Sequence, residues 1–169
     1  LDESAEVLRA TPAAIIARHR TRHVLANAGI DASNVSGGDA DTVLLWPRDP
    51  DASARALRAA FAPARVGVVI ADSLGRAWRV GTVGTAIGAA GLAVLDDRRG
   101  LDVDLYGRTL QATVIAVADA VAAAAVLAMG EGAEGTPAAI VRGWGRWVTA
   151  EDGAGAASGL RPIEQDMFR

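Results

Sequence analysis

The chain has 169 residues, 51% of them hydrophobic and 22% charged, which is enough for one domain with a core and unlike the composition of a disordered chain. A net charge of -3 provides no basic face or stripe for phosphates, so nucleic-acid binding is set aside. All seventeen basic residues are Arg and Cys is absent, which excludes a P-loop, a lysine Schiff base, thiolate chemistry and disulfides within these residues.

Residues 1–10 lack a basic region followed by an apolar one and carry no initiator Met, so they read neither as a signal peptide nor as a natural beginning. Helical composition over 2–9 predicts a helix stopped by Thr11-Pro12, because the residue before Pro avoids the α region. A short strand over 13–17 is expected next, then a second over 19–28 that ends in Gly29-Ile30-Asp31. Ser, Gly, Asn and Asp crowd residues 33–41, which predicts a loop. A brief strand over 43–46 leads to Asp49-Pro50-Asp51, where acidic residues at the positive end of a helix predict its start, and that helix runs to Phe61. The β-branched run 66–71 predicts a buried strand with Asp72 and Ser73 at its C-terminal end.

Glycines recur through 75–91, so backbone there is expected to approach a ligand or another segment closely. Residues 96–107 read as a charged loop. The apolar stretch 109–129 reads as one long helix closed by Gly130. It is interrupted by Asp119 and mostly Ala, which is too weakly apolar for a membrane span. A strand over 138–141 follows, and from residue 150 onward the chain reads as an arm or linker after a core of 1–149. Strands alternating with helices point to an α+β or α/β sandwich.

Oxygen ligands gather in two places, Asp31 with Asn34 and Asp72 with Ser73. Carboxylates accompanied by amide and hydroxyl oxygens suit a hard cation, Mg2+ or Mn2+, that keeps room for a substrate phosphate. The same pattern also serves turns and helix caps. Arg76 and Arg79, three apart beside a Gly-rich turn, suit bidentate capture of phosphate or carboxylate, and equally suit a pair of surface arginines around a packed Trp78.

Five blocks then resemble, in order and spacing, the coenzyme F420:L-glutamate ligase family: Ala26-Asn27-Ala28-Gly29-Ile30-Asp31-Ala32-Ser33-Asn34-Val35, Ile70-Ala71-Asp72-Ser73-Leu74-Gly75-Arg76-Ala77-Trp78-Arg79, Asp104-Leu105-Tyr106-Gly107-Arg108, Ile115-Ala116-Val117-Ala118-Asp119 and Ala138-Ala139-Ile140-Val141-Arg142-Gly143. Leu160-Arg161-Pro162-Ile163-Glu164 resembles the end of that ligase domain in actinobacterial members, where a flavin-type domain follows in some. The resemblance implies an α+β fold of mixed sheets with a long buried helix, lacking the family's N-terminal segment and the Lys of the nucleotide pocket that comes from it. It implies GTP-dependent joining of L-glutamate to the deazaflavin coenzyme F420-0 by an amide bond, through an acyl phosphate, with Mg2+ or Mn2+ at two sites and K+ as a further candidate cation.

By the same resemblance Asp31 and Asp72 hold the first metal, and Ser73, where the family usually has Thr, the second. Asn34 contacts the nucleotide. Gly130, Glu131 and Gly132 form the turn that binds nucleotide or the second metal, and Arg76 and Arg79 are candidates to orient substrate carboxylates or phosphate. Thr82 stands where the family has Gln. A homodimer in the cytoplasm is expected, with GTP, glutamate and F420-0 as partners and neither membrane nor nucleic acid. The alternative is a non-catalytic relative or fragment that binds metal or deazaflavin, or a dimerisation module.

The remaining polar and aromatic residues are given structural readings. His19 and His23 sit among arginines, which disfavours metal binding by imidazole. Asp119 inside an apolar helix needs a hydrogen-bond partner. Trp144 and Trp147 beside Arg142 and Arg146 read as packed aromatics with cation-π contacts. Tyr106 reads equally as a substrate contact or as loop packing.

Overall fold

The computed structural model describes residues 2–35 and 42–167, so most of the loop expected over 33–41 lies outside the described residues. Over the described residues the fold is mixed α+β, built from three small antiparallel sheets and two α-helices, with short 3-10 turns in addition.

The chain opens with β1 (Ser4–Ala10), not with the helix expected over 2–9. β1 pairs antiparallel with β2 (Ile15–His19), and the hydroxyl of Thr11 closes the turn by donating to the Ala14 carbonyl at 2.9 Å and accepting from its amide at 3.1 Å. Pairing with a neighbouring strand outweighs the weak helical preference of the segment. β3 (Val24–Ala26) adds to the other edge of β2, shorter than the strand expected over 19–28. The strand expected over 43–46 reduces to one bridge between Leu44 and Asp31.

Helix α1 (Pro50–Ala60) starts as expected: Asp49 caps it by accepting from the Ala52 amide at 2.8 Å, and Pro50 occupies the first turn, where its missing N–H costs nothing. The centre of the molecule is the hairpin β4 (Val68–Arg76) and β5 (Arg79–Ala90). β4 continues well past residue 71, so Asp72 and Ser73 lie inside a paired strand, opposite Thr85 and Gly84, and not at a strand end as expected. Ile70 pairs with Gly88 and Ala71 with Ala86, so Ile87 is an extra, bulged residue. The glycines of β5 serve close approach. A side chain at Gly84 would overlap the Ala122 carbonyl, and one at Gly88 the Pro50 carbonyl.

β6 (Leu95–Asp97) pairs with β7 (Val114–Ala116), and helix α2 (Val117–Met129) follows directly. The long helix expected over 109–129 is therefore shorter, because Val114 and Ile115 are β-branched and take the strand. Val117, Ala118 and Ala122 of α2 pack with Ala86, Ala89, Leu92 and Ala156 in the main core. Asp119 accepts from the Ala86 amide at 2.9 Å, the structural bond the sequence demanded. Residues 138–141 form no strand, and Ile140 is 81% exposed: four apolar residues without a pairing neighbour do not make one.

The C-terminal stretch docks across α1. Asp51 accepts from the amides of Ala89 at 2.8 Å and Ala156 at 2.7 Å, and Arg58 donates to the carbonyls of Thr149 at 2.9 Å and Ala150 at 2.8 Å. Among the described residues no helix is long and apolar enough to cross a membrane.

Candidate active site

A cavity of about 510 Å³ opens between the 27–34 loop, the middle of β4 and the turn after α2. Asp31, Asn34, Asp72, Ser73, Gly130, Glu131 and Gly132 all line it, so residues up to about a hundred positions apart in sequence share one wall.

Asp31 reaches the cavity because the chain turns sharply before it. Asn27, Ala28 and Gly29 all have positive φ, at 51°, 52° and 71°, and then the backbone of Asp31 bridges to Leu44. Its carboxylate accepts from the Ser33 hydroxyl at 2.7 Å and the Ser33 amide at 2.8 Å. Those two bonds, the hydroxyl first, hold its pKa below the ordinary carboxyl value and keep it ionised.

Asp72 is half-buried on β4. One carboxylate oxygen accepts from the Ser73 amide at 2.8 Å and the other from the indole Nε1–H of Trp46 at 2.6 Å. Glu131 is exposed in a turn whose neighbouring carboxylate, Glu134, accepts from the Gly132 amide at 2.7 Å.

Arg76 and Arg79 are not in the cavity wall. They face each other across the end of the hairpin and are exposed, and Trp78 between them is 91% exposed, so it is not the packed aromatic that was one expectation. Tyr106 is also outside the wall, 83% exposed, with the Arg108 guanidinium 5.5 Å above its ring. Trp144 and Trp147 stack at 5.3 Å with Arg146 over Trp147 at 3.8 Å, the packing role expected of them.

Sequence reasoning missed Trp46. It lies in the small cluster of Leu25 and Ile87, against the buried rings of His19 and His23. No residue near it in sequence signals that its N–H serves a carboxylate 26 positions away.

The oxygen donors fit a hard cation of one particular kind. Among the described residues no three His or acidic side chains converge into a closed metal cage. Mg2+ and Mn2+ do not require one: Mg2+ keeps several waters and is held by one or two carboxylates together with substrate phosphates. Asp31 and Asp72 would supply the carboxylates of such a set, and Ser73 lines the same cavity.

The chain matches the F420-0:Gamma-glutamyl ligase family over residues 1–143. It is 45% identical to the coenzyme F420:L-glutamate ligase of Methanothermobacter thermautotrophicus over 172 residues, covering 100% of this chain and 66% of that protein. The Methanopyrus kandleri protein of the same name is 45% identical, covering 100% of this chain and 67% of its own length. The Archaeoglobus fulgidus protein is 49% identical over 85% of this chain and 57% of its own length. The chain thus spans about two thirds of the length of the curated relatives it matches.

Proposed function

The chain belongs to the F420-0:gamma-glutamyl ligase family, and from that premise we propose that it carries the metal- and phosphate-binding part of a ligase that joins L-glutamate to coenzyme F420-0 with GTP as co-substrate. The observation that supports this reading most is the single cavity in which Asp31, Asn34, Asp72, Ser73 and the 130–132 turn meet.

The chemistry asks for position and charge compensation. A carboxylate oxygen of F420-0 attacks the γ-phosphorus of GTP, the bond to the bridging oxygen breaks, and GDP leaves with that electron pair. The glutamate amine then attacks the acyl phosphate carbon, phosphate departs, and the amine loses a proton to give the amide. Mg2+ or Mn2+, when bound, neutralises phosphate charge as it builds up. In this chain Asp31 and Asp72 would hold the cation, the Ser73 hydroxyl would help at a second site, and Asn34 would meet the nucleotide. Glu131 with Gly130 and Gly132 closes the nucleotide side.

Arg76 and Arg79, exposed at the hairpin end and outside the cavity wall, would draw anionic substrate from solution without touching the reacting atoms. A homodimer in the cytoplasm completes the reading. The direct test incubates the protein with GTP, Mn2+, L-glutamate and F420-0 and follows product mass. Gain of one glutamyl unit with release of GDP is expected; no gain from folded protein that binds Mn2+ would leave a metal-binding relative in its place.

A further inference from the structure

Trp46 is 8% exposed and packs with Leu25 and Ile87, and on that ground alone it would be an ordinary core residue. Its polar atom is used differently. The Nε1–H donates to one oxygen of Asp72 at 2.6 Å, at the short edge of N–H···O bonds.

The indole has little freedom to place that hydrogen anywhere else. The His19 ring lies 5.1 Å away, tilted by 57°, and the His23 ring 5.2 Å away, edge-on at 81°. Gly29 lies against the nitrogen: a β-carbon built there would sit 2.8 Å from Nε1, closer than side chains tolerate, so only Gly leaves the indole in this position. With the Ser73 amide on its other oxygen at 2.8 Å, the Asp72 carboxylate is pinned at both ends.

Each oxygen accepts one of these bonds and retains a lone pair. Asp72 is half-buried and lines the cavity, so a carboxylate with lone pairs left over borders space that a ligand can enter.

We infer that Trp46 is a positioning residue, which holds the Asp72 carboxylate in the orientation that meets a divalent cation and thereby sets the affinity of the cavity for that ion. The inference rests on the reading of Asp72 as a cation ligand. Partners that orient a ligating group typically account for ~10–100-fold in metal affinity. A purely structural Trp would leave that affinity alone once the fold is intact.

Trp46→Phe separates the two roles, since it keeps a ring between the imidazoles and deletes the donor. Mn2+ titration calorimetry on the folded variant is expected to show affinity lowered ~10-fold or more, with a melting transition still cooperative. Wild-type affinity in the folded variant would overturn the inference. If Phe does not support folding, benzothienylalanine at position 46, which replaces the N–H by sulfur in a ring of nearly the same shape, makes the same comparison.

The unaltered protein offers a second readout. The slowly exchanging indole N–H resonance of Trp46 is expected to shift on Mg2+ addition and to saturate with the calorimetric binding curve; a buried indole resonance indifferent to Mg2+ would count against the proposal. Failure of the underlying reading has a distinct signature, namely a folded Asp72→Asn variant that binds Mn2+ like the wild type.

Discussion

Asp51 and Asp119, carried by helices α1 and α2, and Asp31 and Asp72, at the larger cavity, show two fates for the same side chain. Asp51 accepts the amides of Ala89, Ala156 and Ala157 at 2.8, 2.7 and 3.3 Å, and Asp119 accepts the Ala86 amide at 2.9 Å. Their oxygens satisfy main-chain donors that the core would otherwise leave unpaired. Asp31 and Asp72 accept from Ser33, Ser73 and Trp46 and still border open space. Hydrogen bonding is common to both pairs; the difference is in the space beside them, since Asp31 and Asp72 share the cavity of about 510 Å³ while Asp119 borders one of only about 60 Å³. Asp51 and Asp119 tie separate elements together through backbone amides, whereas Asp31 and Asp72 take their amide bonds from residues close to them in sequence and add a side-chain donor each, Ser33 and Trp46.

The sharpest way to break the helix side is to fill the close approach that makes it possible. Gly88→Val would drive a side chain into the Pro50 carbonyl, and a loss of about 3 kcal/mol or failure to fold is expected, read from urea unfolding. Asp51→Ala strands backbone amides that the C-terminal stretch and β5 now share. Its expected loss is about 2 kcal/mol, and the surviving folded fraction should bind Mn2+ as before.

Acid attacks a third place, the imidazoles behind Trp46. Burial, the leading cause for both, lowers the pKa of His19 and His23 below the ordinary 6.5, with Glu3 opposing the shift at His19 and the Ala86 backbone opposing it at His23. Across the window from 6.5 down to the folded-state values the unfolded chain binds more protons than the native one. Stability from these residues is therefore fully present above 6.5 and is lost as pH falls through that window. Melting curves at descending pH should show the loss, and His23→Phe should flatten it, since its buried Nε2 has no hydrogen bond of good geometry among the described residues.

The smallest effect belongs to the hairpin end. Trp78→Ala, at a position 91% exposed, should change stability by no more than about 0.5 kcal/mol and leave Mn2+ binding untouched. A larger change in either would mean that the tip is held by something the cavity side depends on.

The parts of this fold that were legible in the sequence are those decided by a few adjacent residues. Asp49-Pro50-Asp51 specifies a helix start, and Asp119 in an apolar helix had to find a donor. The run 66–71 announced a core strand but not its length, because β4 continues through Asp72, Ser73 and Gly75 only by pairing with Thr85, Gly84 and Thr82. Residues 2–9 looked helical for the same reason in reverse: nothing local reveals β2 as a partner. Asp31 and Asp72 stood out as oxygen clusters, but that pattern serves a turn as well as a metal, and only the family resemblance gave them a metal role. Trp46 had no signal at all, since its role exists only once the 27–29 turn and the two histidines bring its nitrogen to β4.

That Asp31 and Asp72 hold a divalent cation in the shared cavity is tested most directly by Mn2+ calorimetry on Asp31→Asn and Asp72→Asn. Asn keeps one acceptor oxygen: at position 31 the Ser33 hydroxyl can turn to accept from the new amide, while at position 72 either the Trp46 or the Ser73 N–H loses its acceptor, at a cost of about 1–3 kcal/mol. Each variant is expected to bind Mn2+ at least ~10-fold more weakly while still unfolding cooperatively, Asp31→Asn at a nearly unchanged melting temperature and Asp72→Asn at a lower one. Wild-type Mn2+ affinity in both folded variants would contradict the account.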